Sequence, residues 1–243
     1  MEKISILKKG LNSNQLKIIA IIAMTIDHIT LMFFRHTIST EWYVFLRVIG
    51  KITIPIMCFF ISEGFYHTKN IKKYILRLFV FSIISHFAYC YAFKCPIIPN
   101  TIFFETSVIW SLFWGLIALY IAKSDKINIG IKIFLVTLIS IFTIKADWGF
   151  VSVLVIVILG LTRDNRKKQM IWMSLTVIIY EIAMYIQEKS LVQFIHFGIF
   201  LSIPLLLMYN GEKGKSKSLK WFFYIYYPLH LFILALIKNY YFN

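Results

Sequence analysis

Charged residues are scarce in this chain: Asp, Glu, Lys and Arg make up only 15% of its 243 residues, while 59% are hydrophobic. A soluble domain of this length would carry more charge, so the composition excludes that class. Cysteine is also scarce, and Cys58, Cys90 and Cys95 lack the spacing of a metal site. We expect free thiols at Cys90 and Cys95 rather than a disulfide, and we expect no metal ion.

Common catalytic motifs are absent too. The sequence has no Walker motif, nucleophile elbow, metal-ligand set or dinucleotide-binding fingerprint, which removes several enzyme classes from consideration. It also has no internal repeat, low-complexity tract or domain boundary, so we expect residues 1–243 to form a single domain. The first apolar segment has no small-residue cleavage site after it, so we expect it to be retained rather than cleaved as a signal peptide.

Long apolar runs are what the sequence does contain. Runs of about 17 to 22 residues recur from end to end, and each is long enough to span a bilayer as a helix. They are continuous rather than alternating, which favours helices over a barrel. We predict an all-α polytopic membrane bundle of about nine transmembrane helices. The predicted spans are 15–34, 44–66, 74–93, 102–122, 129–144, 148–162, 170–187, 191–209 and 219–237. The fifth and sixth are short and could instead form a hairpin that dips into the membrane.

The basic residues indicate an orientation. Most of the 26 Lys and Arg residues fall on the side of the N-terminus when loops are assigned alternately to the two sides of the bilayer. Because basic residues concentrate in cytoplasmic loops, we expect a cytoplasmic N-terminus in a bacterial plasma membrane. The same rule accounts for the net charge of +15. We therefore expect the lipid bilayer as a partner, and no nucleic acid.

Asp27 and His28 place a carboxylate and an imidazole in the outer half of the first span. An ionised group at the bilayer centre costs roughly 2.5 to 3.5 kcal/mol or more, so such residues usually face the protein interior and have a function. Arg47 and Lys51 share one face of the second span and are candidate partners for Asp27. The alternatives are a purely structural ion pair for Asp27 and a hydrogen-bonded core histidine for His28. The functional interpretation of His28 is a general base or proton relay.

A second polar group lies at the inner end of the second span, where Glu63 and His67 precede a basic loop. Further ionisable residues in or near the spans are His86, Asp147, Glu181, His196 and His230. The pattern predicts an asymmetric polar cavity, with His86 and His196 as packing or hydrogen-bonding residues. The group at Glu63 either caps a helix end or forms a mouth for an anionic cytoplasmic donor. The aromatic run Trp221–Tyr227 is interpreted as an interfacial belt.

Short motifs follow one another along nearly the whole chain, from residue 11 to residue 231. They are Leu11–Lys17, Met24–His28, Leu46–Lys51, Ser62–Asn70, Gly115–Tyr120, Ala146–Gly149, Tyr209–Gly211 and Phe223–Leu231. Each is short, but the ordered set resembles the TraX family, membrane proteins named for the conjugative pilin acetylase. The chain departs from the family at Lys51, where Arg is frequent, and at His86, where Gln or Glu is common.

The resemblance implies an integral membrane acetyltransferase that uses acetyl-CoA and belongs to a wider group of transmembrane acyltransferases. The acetyl group would pass to an amine, or with lower preference a hydroxyl, of an exported peptide or envelope glycan. Acetyl-CoA would bind from the cytoplasm near Glu63, His67, Lys72, Lys73 and Arg77.

The same resemblance implies roles near the outer end. His28 would deprotonate the acceptor, and His230 is a reserve base. Asp27 would hold Arg47 or set the tautomer of His28, and Arg47 or Lys51 would stabilise the oxyanion. Direct transfer and transfer through an acetyl-histidine both remain open.

Two other function classes remain. One is a proton-coupled transporter in which Asp27, His28, Glu181 and Arg47 form a relay. Transporters commonly show repeats or paired broken helices, and the sequence shows neither, so this interpretation is less favoured. The other is a non-catalytic membrane partner in assembly or immunity, for which loss of His28 would have no effect.

Overall fold

The computed structural model describes residues 10–98, 103–188, 191–214 and 219–241. Within these ranges every regular element is a helix, and two isolated β-bridges pair Leu11 with Tyr209 and Thr106 with Ala146. The predicted helical class is therefore confirmed for the described residues. Several residues behind the predicted orientation lie outside them: Lys3, Lys8, Lys9, Lys189, Lys215 and Lys217.

The helices follow the predicted apolar runs. In chain order they are α1 (Ser13–Phe33), α2 (Thr40–Gly50), α3 (Thr53–His67), α4 (Ile71–Phe93), α5 (Val108–Ala122), α6 (Ile129–Phe142), α7 (Gly149–Leu161), α8 (Arg166–Glu188), a 3-10 helix (Leu191–Leu201), α9 (Ser202–Leu207) and α10 (Leu219–Tyr241). Among the described residues, five segments are long and apolar enough to cross a membrane. Four further apolar helices are shorter, so the count of nine crossings stays a prediction.

Helix α1 begins with a reciprocal cap. The Asn12 side chain accepts hydrogen bonds from the backbone N–H groups of Asn14 and Gln15, and the Gln15 side chain accepts one from the N–H of Asn12. These bonds satisfy donors that a helix start leaves without intrahelical partners. Asn12 therefore caps α1, and the helix starts at a defined residue.

The second predicted span is interrupted. The sequence predicted one helix over 44–66, but α2 ends at Gly50 and α3 begins at Thr53, so Lys51 lies at the break. The N–H groups of Lys51 and Ile52 bond three residues back, to Val48 and Ile49. Pro55 has no N–H and can be accommodated in the first turn of a helix but not in its interior. The predicted span is kept, because Thr40–His67 is long and apolar enough to cross a membrane, but its helix is broken before Pro55 rather than continuous.

The core forms where α1, α3, α5 and α7 meet. Fully buried side chains from these helices include Leu16, Ile56, Phe59, Leu116 and Ile156. Helix α10 packs on α4 and α1, and α4 packs on α5. Outward faces carry exposed large apolar residues such as Leu76 on α4 and Ile179 on α8. A soluble protein would not expose so much apolar surface, and a membrane protein covers it with lipid.

A disulfide joins Cys90 to Cys95 at the C-terminal end of α4. The expectation of free thiols there was wrong. Lys94 ends the helix in the left-handed conformation with φ of 56°, which reverses the chain and brings Cys95 back to Cys90. Cys58, by contrast, is a buried free thiol.

Candidate functional site

A cavity of about 640 Å³ runs through the bundle beside α1. Both Lys17 and His28 line it, and eleven residues of helix separate them by about 16 Å. One end, here the basic mouth, is lined by Lys17, His67, Lys69, Arg77 and Lys213. The other, here the His28 end, is lined by Asp27, His28, Arg47, Lys51 and Asp147. Apolar side chains such as Met57 and Leu78 line the stretch between.

Asp27 lies between two cations at the His28 end. Its Oδ1 is 2.7 Å from Arg47 Nη1, and its Oδ2 is 3.5 Å from Lys51 Nζ. The sequence predicted this pairing across α1 and α2, and the structure brings the three residues together. The Nε of Arg47 is buried and has no hydrogen-bond partner among the described residues. The guanidinium therefore holds Asp27 and keeps one N–H available for another group.

Gly50 allows the close approach of α2 to Asp27. A Cβ atom added at Gly50 would overlap the side chain of Asp27. Glycine is therefore required here because a larger side chain would collide with Asp27, and not because of its backbone conformation.

His28 and His230 form a hydrogen-bonded pair, with 2.8 Å between His28 Nδ1 and His230 Nε2. His230 Nδ1 lies 3.0 Å from the backbone carbonyl oxygen of Tyr226, which can only accept. His230 therefore carries its proton on Nδ1 and accepts on Nε2, so that His28 donates from Nδ1. The Nε2 of His28 is left with its lone pair. His230, rather than Asp27, thus sets the tautomer of His28.

The turn between α6 and α7 contributes Asp147 and Trp148 to the His28 end. The N–H of Asp147 donates to Thr106 O at 2.9 Å, and the hydroxyl of Ser111 donates to Asp147 O at 3.1 Å. Trp148 has a φ of 59°, an unusual value for a bulky residue. Its ring lies 5.4 Å from Lys51 Nζ. The turn is therefore fixed by its backbone, and its side chains line the cavity.

Two tyrosines complete the His28 end. Tyr89 and Tyr227 both line the cavity, and the Tyr227 ring packs edge-on against His28 with 6.4 Å between centroids.

Tyr227 belongs to the aromatic run that was interpreted as an interfacial belt. Trp221 and Phe222 are exposed as a belt requires, but Tyr224 and Tyr227 face the cavity. The belt interpretation is therefore wrong for Tyr224 and Tyr227, and it stays a prediction for Trp221 and Phe222.

The basic mouth differs from the predicted donor site. His67 and Arg77 line it, whereas Glu63, Lys72 and Lys73 do not. Glu63 is only 5% exposed and accepts from Arg163 Nε at 2.8 Å, and His67 Nε2 lies 3.2 Å from it. That hydrogen bond raises the pKa of Arg163. The charge of the Glu63 carboxylate is thus compensated by Arg163 within the protein.

Lys72 and Lys73 lie exposed on the first turn of α4. Lys17 and Lys213 line the cavity instead, and the sequence analysis gave neither of them a role in donor binding. The Nζ of Lys17 lies 4.8 Å from the ring centre of Phe60 and 5.3 Å from that of Phe223. A lysine just inside the first span was the available signal for this role.

Comparison with known proteins agrees with the motif order. A family model described as TraX protein matches residues 12–238. The chain belongs to the TraX family. It is similar to the probable fimbrial assembly protein FimC, serogroup H1, of Dichelobacter nodosus, with 32% identity over 234 residues that cover 92% of this chain and 94% of the relative. An uncharacterized protein of Rickettsia prowazekii (strain Madrid E) is 26% identical over 156 residues, covering 63% of this chain and 56% of that protein. No solved structure matches the chain.

The TraX motifs converge on the cavity. Motifs that lie far apart in sequence each contribute lining residues: Met24–His28, Leu46–Lys51, Ser62–Asn70, Ala146–Gly149 and Phe223–Leu231. Since packing alone would not require these segments to share one cavity, the cavity is the candidate functional site of this TraX protein.

Three further ionisable residues do not line that cavity: His86, Glu181 and His196. Glu181 is 3% exposed and pairs with His196, whose Nδ1 lies 3.2 Å from Glu181 Oε1. His86 bonds Thr106 Oγ1 at 3.0 Å and Ile97 O at 2.9 Å. His86 is therefore a hydrogen-bonding residue, and His196 packs its ring on Trp148 with 5.2 Å between ring centroids. In the part of the chain that the structure describes, no group of three His, Cys, Asp or Glu residues could hold a metal ion.

Proposed function

We propose that this TraX-family protein transfers an acetyl group from acetyl-CoA to an amine, or with lower preference a hydroxyl, of an exported peptide or envelope glycan. One observation carries the proposal. A single cavity connects a mouth lined by cations with a histidine that has a free ring nitrogen beside an ion-paired arginine. Donor binding and acyl transfer need these two features, joined by an apolar passage.

The donor would enter at the basic mouth. Acetyl-CoA carries several phosphate charges, and Lys17, Lys69, Arg77 and Lys213 supply cations around one opening. We assign the phosphates to these side chains and the acyl arm to the apolar stretch lined by Met57 and Leu78. Of the donor residues predicted from sequence, His67 and Arg77 keep that role, whereas Glu63, Lys72 and Lys73 lie outside the lining.

The reaction would follow at the His28 end. Nε2 of His28 takes a proton from the acceptor amine while the amine nitrogen forms a bond to the thioester carbonyl carbon. Arg47 Nε–H, with Lys51, stabilises the oxyanion that develops on the carbonyl oxygen. The carbonyl then re-forms, the carbon–sulfur bond breaks, and the sulfur of CoA takes the proton from His28. The products are the acetylated amine and CoA.

The orientation of the protein fits this direction of transfer. The basic residues favour a cytoplasmic basic mouth, and cytoplasmic metabolism supplies acetyl-CoA. The Cys90–Cys95 disulfide lies at the opposite end of α4 from Lys72 and Lys73. Disulfides persist in oxidising compartments outside the cytoplasm, so its position supports an external His28 end in a plasma membrane. The fimbrial assembly relative supports an exported protein as the acceptor.

The test measures the release of CoA by the purified full-length protein, with the tripeptide amide Ala-Ala-Ala-NH2 as acceptor. The free thiol of the released CoA is titrated to give the rate. We expect His28→Ala to lower the rate by about 100-fold or more. His36→Ala, which changes an exposed histidine, is the matched control and should retain the wild-type rate. Failure of wild-type protein to bind acetyl-CoA, or full activity of His28→Ala, would contradict the proposal.

Proton-coupled transport is the second candidate. The break between α2 and α3 favours it, since transporters often bind their substrates where a helix is interrupted. The predicted relay is not assembled, however, because Glu181 pairs with His196 instead of joining Asp27, His28 and Arg47. Solute uptake into vesicles that collapses with an uncoupler and proceeds without CoA release would favour transport.

A further inference from the structure

Asp147 differs from Asp27 in how its charge is compensated. Asp27 lies within 4 Å of both cations at the His28 end. Among the described residues, no ion pair or side-chain hydrogen bond joins the carboxylate of Asp147 to another residue, although Lys51 and Arg47 attract it from farther away. One of the two carboxylates in this cavity therefore has no cation in contact, and a partly desolvated carboxylate without one favours a cationic ligand.

The fold does not use the Asp147 side chain. The backbone N–H and C=O of Asp147 make the bonds to Thr106 and Ser111 that hold the turn. No side-chain bond caps the start of α7. The carboxylate is therefore positioned by its backbone and remains available to a group inside the cavity.

Tyr227 supplies a second polar group at the same place. Its side chain is 5% exposed, and its hydroxyl lies beside the backbone N–H of Val108. Among the described residues the hydroxyl has no acceptor for its own proton. Asp147, Tyr89 and Tyr227 all line the same cavity. The ring of Tyr227 also packs against His28, and both residues line the same cavity as Asp147.

We propose that Asp147 and Tyr227 bind the ammonium form of the acceptor amine. The inference rests on the proposed acetyl transfer and names the site that selects its acceptor. An ammonium group carries three N–H donors, and the Asp147 oxygens and the Tyr227 oxygen can accept from them. Because an ammonium nitrogen has no lone pair, it passes one proton to the Asp147 carboxylate before transfer, and that proton leaves to water with the product. The neutral amine then attacks the thioester with His28 as its base. The Tyr227 proton can then bond to a carbonyl beside the amine. A hydroxyl acceptor brings no charge to Asp147, so this site selects amines over hydroxyls.

The experiment measures binding rather than turnover, so that it does not depend on the natural acceptor. Full-length protein in lipid nanodiscs is titrated at pH 6.5 with Ala-Ala-Ala-NH2 and with its lactyl analogue, which carries a hydroxyl in place of the amine. Because only the amine can make a charge-assisted hydrogen bond to Asp147, we expect wild-type protein to bind it about tenfold more tightly than the analogue. In Asp147→Asn the preference should fall below about threefold.

The controls separate charge from folding. Asp125→Asn removes an exposed carboxylate in the loop before α6 and should keep the full preference. Tyr227→Phe keeps the ring against His28 and should lower the preference about threefold, which provides a second measurement if Asp147→Asn does not fold. Equal binding of the two peptides, binding of neither, or an unchanged preference in both variants overturns the inference. Acetyl-CoA binding is measured in parallel. If the wild-type protein does not bind acetyl-CoA, the proposed reaction is overturned instead.

Discussion

His28 on α1 and His230 on α10 share a hydrogen bond although 202 positions separate them in sequence. The carbonyl of Tyr226 fixes the proton of His230, and His230 in turn fixes the proton of His28. The orientation of a candidate general base is therefore controlled from another helix. In this chain the motif at Met24–His28 and the motif at Phe223–Leu231 are therefore joined by a hydrogen bond.

The hydrogen bonds from Tyr226 through His230 to His28 predict how His230 variants behave. His230→Ala removes the acceptor for His28 Nδ1–H, so we expect the rate of CoA release to fall by about 10- to 100-fold with acetyl-CoA affinity unchanged. His230→Gln retains an acceptor oxygen and should recover a large part of the rate. If His230 were itself a base, the two variants would be equally impaired, and steady-state kinetics distinguishes the outcomes.

The ion network at Asp27 predicts a stability effect. Asp27→Asn leaves Arg47 and Lys51 buried without their carboxylate, which should lower the free energy of unfolding by about 3 to 5 kcal/mol. Adding Arg47→Gln to that variant removes one of the two uncompensated charges and should restore part of the loss. Denaturant unfolding in detergent checks both. Equal stability of the single variant and the wild type would contradict the network.

The basic mouth predicts which lysines bind the donor. Lys17→Gln and Lys213→Gln should each weaken acetyl-CoA binding by about tenfold at low salt, and the difference should shrink as salt rises. Lys72→Gln and Lys73→Gln are charge-matched controls on the exposed turn of α4 and should change binding less than about twofold. Competition binding measures all four. A larger loss in the control pair would return the donor site to the residues predicted from sequence.

Gly50 predicts a packing effect. Gly50→Ala introduces a methyl group that overlaps Asp27, so α2 must move away and the Arg47–Asp27 contact must lengthen. We expect a cost of about 1 to 3 kcal/mol in unfolding free energy and a lower rate of CoA release. Gly130→Ala in α6 is the control, because its new Cβ would meet only Asn128 Oδ1 at 3.3 Å. Wild-type behaviour of Gly50→Ala would show that the helices can separate freely here.

The disulfide predicts the orientation in the membrane. A thiol reagent that cannot cross membranes, applied to whole cells after mild reduction, should label the half-buried Cys95 and leave the buried Cys58 unlabelled. A Cys58→Ser variant provides the background-free control. Labelling that requires broken cells would place the His28 end in the cytoplasm and reverse the proposed direction of transfer.

Sequence reasoning succeeded where a local pattern decides the outcome. Continuous apolar runs predicted the helices, and the spacing of Arg47 and Lys51 predicted the cation pair that meets Asp27. Each of these depends on residues within one helix or on the strong demand of a buried carboxylate for a cation.

It failed where the path of the chain decides. Lys94 in the left-handed conformation reverses the chain and brings Cys95 to Cys90. No pattern in the sequence predicts this reversal of the chain. Lys213 reaches the cavity from a loop about two hundred residues after Lys17. Tyr227 is one aromatic residue among several in its run, and only the packing of α10 on α1 and α4 turns it inward.

The formal charges at the His28 end have a consequence for product release. Asp27 and Asp147 balance Arg47 and Lys51, so this part of the cavity is neutral before an acceptor arrives. The proposed acceptor enters as a cation and leaves as an uncharged amide. The carboxylate that attracts the substrate therefore has no charge to hold in the product, and we expect the acetylated acceptor to be a poor competitor of the free amine.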